Sequence, residues 1–333
     1  MFAHKIAAFT GPDDVQWTEV AEPAADGGVM IDVAAAGVSF ADLLQTRGAY
    51  QMQVPLPYTP GMDAAGVVRS GAGSGAGSGA GSGWGPGRRV AVLVPYGCWQ
   101  EVISVPPGRV LPLPDGMSLE AGAAAPLNYL TGIFALVRRA RAQAGETLLV
   151  HGAAGGVGTA AVQLGKALGL RTIAVAGDLA KREFALRCGA DHAVLSDGWL
   201  EAVRDVLGER AVDIVVDPVG SDRMTDSLRS LAPEGRLLVL GFSGGEIPMV
   251  KVNRLLLGNT GVLGVASREF FEQQPATVAE LWGRLIELRR SGALDDPPVE
   301  PFPFPDARDA LRAIADRKAR GKVVLSRSTS RRP

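Results

Sequence analysis

The sequence predicts a two-part α/β protein: a β-rich, partly open barrel, then a doubly wound parallel sheet. Three observations predict it. Up to about Gly122, short apolar runs are broken by Pro55, Pro57, Pro60, Pro106, Pro107, Pro112 and Pro114, the punctuation of strands and turns. From about Ala123, strand-like runs alternate with helical periodicity, the rhythm of parallel βαβ units. Between Thr147 and Gly169 one such unit is written almost without interruption.

The 333 residues are enough for two domains. The boundaries read as 1–122 with 297–333 for the first and 123–296 for the second. In the first, Met1-Phe2-Ala3-His4-Lys5-Ile6 opens strand-like, and Val29–Val38, Ala64–Val68 and Arg89–Leu93 are strand candidates. Before the last of these, Gly-Ala-Gly-Ser recurs from Gly71, Gly75 and Gly79. Such composition buries nothing, and with strand patterns on both sides it reads as an enlarged surface loop. In the second domain the strand candidates are Thr147–His151, Arg171–Ala176, Ala193–Leu195, Ile214–Asp217, Gly235–Gly241 and Gly261–Val265, with helices between. Past Pro297 come an amphipathic helix, Asp306–Arg317, and a strand, Gly321–Leu325. Both are expected to return to the first domain.

With 34 basic and 35 acidic residues the formal charge is -1, which gives no reason to expect nucleic acid or an anionic membrane as a partner. Arg327, Arg331 and Arg332 read as a frayed tail. Two cysteines, Cys98 and Cys188, exclude a disulfide framework and point to a reducing cytoplasm. No signal-like segment opens the chain, and no apolar run reaches the roughly 18 residues of a membrane span.

The unit at Thr147 carries the chemistry. Thr147–Val150 suits a buried strand, and Ala161, Val162, Leu164 and Leu168 recur at helical spacing. Between them, His151-Gly152-Ala153-Ala154-Gly155-Gly156-Val157-Gly158 is a turn that only small residues can make. A pyrophosphate can rest there on N–H groups at a helix N-terminus, favoured by the helix dipole. This is a dinucleotide-binding turn with its required strand before and helix after.

That turn resembles the cofactor turn of the medium-chain dehydrogenase/reductase superfamily, and in particular its zinc-independent quinone oxidoreductase, or zeta-crystallin-like, branch. Other segments resemble the branch in order: Ala35–Leu44 with Arg47, Gly48 and Tyr50; Pro57–Val68; Leu127–Thr131; Val216–Gly220; Gly241–Ser243; and Gly321–Leu325. The resemblance implies a GroES-like first domain and a Rossmann second domain. It implies hydride transfer from NADPH to a small-molecule acceptor, a quinone or another conjugated carbonyl. Ser39, Tyr50 and Asn128 are then candidate donors to the acceptor, Tyr50 alternatively a wall of the pocket. Asn128 and Thr131, Ala154, Gly155, Gly156 and Val157, Pro218 and Val219, and Gly241, Phe242 and Ser243 are candidate cofactor contacts.

Two signals compete over the cofactor. Asp178, roughly 20 residues beyond the turn, suits the ribose hydroxyls of NADH or a helix N-cap. Gly177, Lys181 and Arg182 match positions that take the extra phosphate of NADPH, although a helping tyrosine is replaced by Ser196. NADPH is expected, with NADH the alternative.

Zinc relatives draw their ligands from positions that are here Ser39, Phe40, Met62, Asp63 and about Leu127. Thiolate and imidazole are both missing, and no metal is expected. His151 reads as a hydrogen-bonded core histidine, and Cys98 and Cys188 as packing residues. The strand Gly261–Val265 is expected at a sheet edge, where it invites a homodimer. Two other functions stay open: an enoyl-thioester reductase of the polyketide type, and a nucleotide-binding structural or RNA-binding protein like some zeta-crystallin relatives. The neutral charge argues against the second.

Overall fold

A computed structural model describes residues 1–71 and 83–328. Most of the Gly-Ala-Gly-Ser repeat, and Arg331 and Arg332 of the expected tail, lie outside the described residues. The chain divides into two compact units, Met1–Leu127 with Asp296–Pro333, and Asn128–Asp295.

In the first unit, β1 (Phe2–Ile6) and β2 (Val15–Glu19) pair antiparallel. The main sheet contains β3 (Val29–Val38), β4 (Asp63–Ser70), β5 (Arg89–Leu93), β6 (Val102–Val105) and β7 (Val110–Pro112). Helix α1 (Phe40–Thr46) follows β3, and α2 (Leu119–Ile133) leads into the second unit. The second unit alternates β8 (Thr147–Val150), α3 (Gly156–Ala167), β9 (Arg171–Ala176), α4 (Leu179–Arg187), β10 (His192–Leu195), α5 (Trp199–Leu207) and β11 (Val212–Asp217). It continues with α6 (Met224–Ser230), β12 (Leu231–Val239), α7 (Asn253–Gly258), β13 (Gly261–Gly264), α8 (Ser267–Gln273) and α9 (Ala276–Arg290). Then β14 (Val299–Pro303), α10 (Ala307–Ala315) and β15 (Lys322–Ser326) rejoin the first unit.

The seven-stranded sheet runs β14-β15-β3-β4-β5-β7, with β6 also on β3. Strand β15 lies antiparallel to β3, with Val323 opposite Val38 and Leu325 opposite Ala36. Its core gathers Ile31, Val33, Leu43, Trp99, Phe304 and Leu325. Trp99 is fully buried, and its indole N–H donates to the Gly37 carbonyl at 2.9 Å, so this large ring is hydrogen-bonded where it is dry.

The second sheet is parallel, in the order β10-β9-β8-β11-β12-β13. The chain starts at β8 in the middle, winds outward to β10, then returns to β11 and winds the other way. A switch point therefore falls between β8 and β11, where ligands bind at the carboxyl ends of such strands. Val150, Ile173, Val215 and Leu237 are buried, as strands covered on both faces require.

The expected Gly235–Gly241 strand begins earlier, at Leu231, and ends at Val239. Glu234 has φ 64°, and the register against β11 slips between Val212 and Ile214. That irregularity hides the first half of the strand from periodicity. Strand β14 contains Pro301 and Pro303, whose missing N–H groups suit an edge and whose composition reads as loop.

Candidate cofactor turn and polar centre

Because the second sheet is parallel, the segments after β8, β9, β11 and β12 share one edge. These segments carry the turn up to Gly155, Gly177 with Asp178, Pro218 with Val219, and Gly241–Ser243. They are laced together: Ala153 N donates to Val175 O at 3.1 Å, His151 N to Val216 O at 3.0 Å, and Ser243 N to Pro218 O at 3.2 Å. Asp217 Oδ1 accepts from Val219 N and Gly220 N at 2.8 and 2.9 Å, which fixes the loop after β11.

The turn needs its glycines for close approach. A Cβ on Gly158 would stand 2.2 Å from Gly152 O, and one on Gly156 would stand 2.4 Å from Asn128 Nδ2. Gly155, the N-cap of α3, offers no side-chain acceptor, so no side chain caps the first-turn N–H groups. Beside them the buried Nδ2 of Asn128 has no hydrogen-bond partner. A buried donor without an acceptor is costly. Together with an uncapped helix N-terminus it makes a site suited to an anionic or oxygen-rich ligand. A dinucleotide pyrophosphate fits this donor set: the N–H groups of Gly156 and Val157 would hold it, with the Asn128 amide beside them.

Thr131 Oγ1 lies 2.9 Å from Ser267 Oγ, a partner with no signal in the local sequence pattern. Tyr129 OH donates to Gln163 Oε1 and ties α2 to α3. Asp178 does cap α4: its Oδ1 accepts from Lys181 N at 2.8 Å, and Lys181 Nζ lies 3.5 Å from Oδ2. The Lys181 N–H, with the Lys181 ammonium, holds this carboxyl below its ordinary range. Gly177 beside it is open, with nothing within 4 Å of where a Cβ would stand. Arg182 and Val157 are half-buried, Ala154 is buried and Phe242 is exposed.

In the first unit Ser39 is half-buried and caps α1 in a capping box with Asp42. Tyr50, also half-buried, lies in the loop beyond that helix. Ser39 and Tyr50 thus belong to one unit, and all the other candidates to the second.

Asp63 is engaged by a cation of the protein itself. Lys322 Nζ lies 3.1 and 3.0 Å from its two carboxylate oxygens. Leu127 N adds a bond at 3.3 Å. Ser39 Oγ is bonded to Asp42, and Met62 is buried. The histidines are elsewhere: His4 Nε2 is 2.8 Å from Phe304 O, and His151 Nε2 is 2.9 Å from Ser227 Oγ. Among the described residues no three His, Cys, Asp or Glu side chains group around a point. This donor set does not fit zinc, which takes three protein ligands about an open position. Neither Lys322 as the partner of Asp63 nor Asp42 was singled out from the sequence. The Ser-x-x-Asp spacing of a capping box was a legible signal for Asp42.

The zinc-binding dehydrogenase family matches residues 156–284, and the alcohol dehydrogenase GroES-like domain matches residues 25–115. Quinone oxidoreductase-like protein 2 of Rattus norvegicus is 36% identical over 301 residues, 90% of this chain and 84% of that protein. The chain belongs to the quinone oxidoreductase branch of the medium-chain dehydrogenase/reductase superfamily. Two solved structures of like fold agree. A probable oxidoreductase from Mycobacterium abscessus is 41% identical, with TM-score 0.87 and 98% of each chain covered. The quinone oxidoreductase from Thermus thermophilus, solved also as its complex with NADPH, is 37% identical with TM-score 0.80, covering 98% of this chain and 100% of that one. Membership of this branch accounts for a zinc-family match in a chain whose Asp63 faces a lysine. The reading of Cys98 and Cys188 as packing residues also fits: both are buried, and burial pushes the Cys188 thiol up to about 11.

Proposed function

We propose that this protein is an NADPH-dependent, zinc-independent reductase of quinones or other conjugated carbonyl compounds. The observation that carries the cofactor half is the partnerless buried Nδ2 of Asn128 beside the uncapped start of α3. The NADPH complex of the Thermus thermophilus relative supports it. The acceptor half is supported by the quinone oxidoreductase relatives and by a carboxylate already neutralised by Lys322, so that the acceptor must be electrophilic without a metal.

When bound, the nicotinamide supplies the hydride. This chain's residues then bind and orient. Gly156, Val157 and Asn128 would hold the pyrophosphate end, Pro218, Val219, Gly241, Phe242 and Ser243 line the same sheet edge, and Thr131 would contact the nicotinamide end. Gly177, Lys181 and Arg182 receive the 2′-phosphate, and Asp178 spends its carboxylate on the α4 cap and on Lys181 rather than on a ribose. Ser39 Oγ and Tyr50 are the proposed donors to the acceptor oxygen.

We further propose a homodimer in a reducing cytoplasm. Strand β13 ends the parallel sheet, and Met249, Val252, Leu256 and Leu257 just before it are 93, 75, 76 and 79% exposed. Apolar side chains beside an open strand edge favour a second copy. Light scattering should give a dimer, and a monomer for Leu256→Glu with Leu257→Glu. No helix among the described residues is long and apolar enough to cross a membrane.

The test is a cofactor-oxidation screen with ortho- and para-quinones, enones and enoyl-CoA, with metal analysis of the same sample. Quinone or enone turnover without bound metal is expected, with a lower KM for NADPH than for NADH. Turnover of enoyl-CoA alone, or of nothing, overturns the reading.

A further inference from the structure

A second buried carboxylate in the first unit has no task in the reduction so far. Asp42 is fully buried and sits on the first turn of α1. Its Oδ2 accepts from Ser39 N at 2.8 Å and from Ser39 Oγ at 2.5 Å, and its Oδ1 accepts from Gly61 N at 3.2 Å. Ser39 Oγ in turn accepts from Asp42 N at 3.2 Å. A serine has one proton to give. While Asp42 is ionised, that proton points at the carboxylate and serves nothing else. Once Asp42 is protonated the bond reverses: the carboxyl O–H donates to Oγ, and the serine proton is released toward any acceptor on its exposed side.

The surroundings allow both states. The Lys322 ammonium on β15 favours the ionised form of Asp42 and the Asp63 carboxylate on β4 disfavours it, while the Tyr58 hydroxyl and the Cys98 thiol also lie within its field. The helix and turn packed on α1 turn their charges elsewhere: Arg308 Nε donates to Val15 O, and Arg312 pairs with Asp13. Burial outweighs the Ser39 bonds and lifts the carboxyl to about 6. Tyr58 Oη, Thr59 Oγ1 and both amide atoms of Gln45, one turn along α1 on the same face, are buried without a protein partner. Such atoms are met by internal water.

We propose that Asp42 stores the proton of the reduction and delivers it through Ser39. This rests on the reading above that Ser39 meets the acceptor. Hydride brings two electrons and one hydrogen to the acceptor. The acceptor oxygen then takes the Ser39 Oγ proton, Ser39 Oγ takes the proton from Asp42, and Asp42, left as carboxylate, is reprotonated from water. One hydride and one proton are consumed, and no further oxidant or reductant is needed. Asp42 is thus a positioning residue that acts through Ser39.

The test measures kcat with NADPH and a para-quinone or enone from pH 5 to 9, in H2O and D2O, for the wild type, Asp42→Asn, Ser39→Ala and Ser39→Thr. Wild-type kcat should fall as pH rises through the Asp42 range and carry a solvent isotope effect. Asp42→Asn and Ser39→Ala should lose on the order of 10²-fold in kcat at low pH, together with the pH limb and the isotope effect, at unchanged KM for NADPH. Ser39→Thr, which keeps the hydroxyl, should restore them. A wild-type pH profile and isotope effect in Ser39→Ala overturns the proposal even if Asp42→Asn does not fold. An infrared carboxyl band that grows between pH 7 and 5 without acceptor, and is missing in Asp42→Asn, tests the store apart from turnover. Its absence from the wild type also overturns the proposal. Failure of NADPH oxidation with every acceptor, with that band present, instead refutes the reductase reading.

Discussion

The Lys322 ammonium and the Asp63 carboxylate meet at 3.0 Å while 3% and 0% exposed. Breaking one side of such a buried pair leaves a charge without compensation and costs about 3–5 kcal/mol. Lys322→Met and Asp63→Leu should each destabilise the fold by roughly that amount in urea titrations. The double variant should cost far less than the sum of the two, because an apolar pair replaces an ionic one. Additive losses would show that the two side chains are not coupled.

Asn128→Ala removes the orphan donor beside α3. NADPH affinity should drop by about 1 kcal/mol, roughly five- to tenfold, with little change in Tm, since the amide nitrogen bonds nothing in the protein. Gly156→Ala drives a Cβ onto the same nitrogen and should weaken binding further. Calorimetric titration with NADPH measures both, and an unchanged Kd for either would remove Asn128 from the site.

Lys181→Ala should raise the KM for NADPH more than that for NADH, because only the former carries a 2′-phosphate. Asp178→Ala should lower Tm through the lost cap of α4. A parallel rise of both KM values in Lys181→Ala would place the phosphate elsewhere.

His151 is held neutral. Burial, reinforced by Arg223, lowers its imidazole from 6.5 to about 3. The unfolded chain therefore binds a proton that the native state refuses. This contribution to stability is complete above pH 6.5 and is lost as pH falls toward 3, by about 1.4 kcal/mol per unit. His151→Gln should be less stable than wild type at pH 7, with the gap narrowing between pH 6 and 4. Urea melts at pH 7, 5.5 and 4.5 test it, and a constant gap would mean that the histidine titrates alike in both states.

The fold was legible where local pattern and tertiary role coincide. Thr147–Val150, the glycine turn and the helix after it carry their own steric and dipolar logic, and Arg171–Ala176 is found where periodicity puts it. Strands β7 and β14 were not legible, because Pro112, Pro301 and Pro303 sit in strands kept only by neighbours distant in sequence. The cap of α4 by Asp178 was legible from its place before the helix. The bond between Thr131 and Ser267 joins residues 136 apart, and that between Asp63 and Lys322 joins residues 259 apart. Periodicity reports only nearby positions, so neither pair could be read before the strands were laid side by side.

Strand β15 fills the slot between β14 and β3. A ribosome therefore releases the whole of Asn128–Asp295, free to fold, before the segment that finishes the earlier domain. Until then the nascent chain carries Ala35–Val38 as a bare strand border and Asp63 with no counter-ion. The early domain depends on late synthesis, and premature termination just short of Lys322 would yield a sound cofactor domain joined to a half that cannot close.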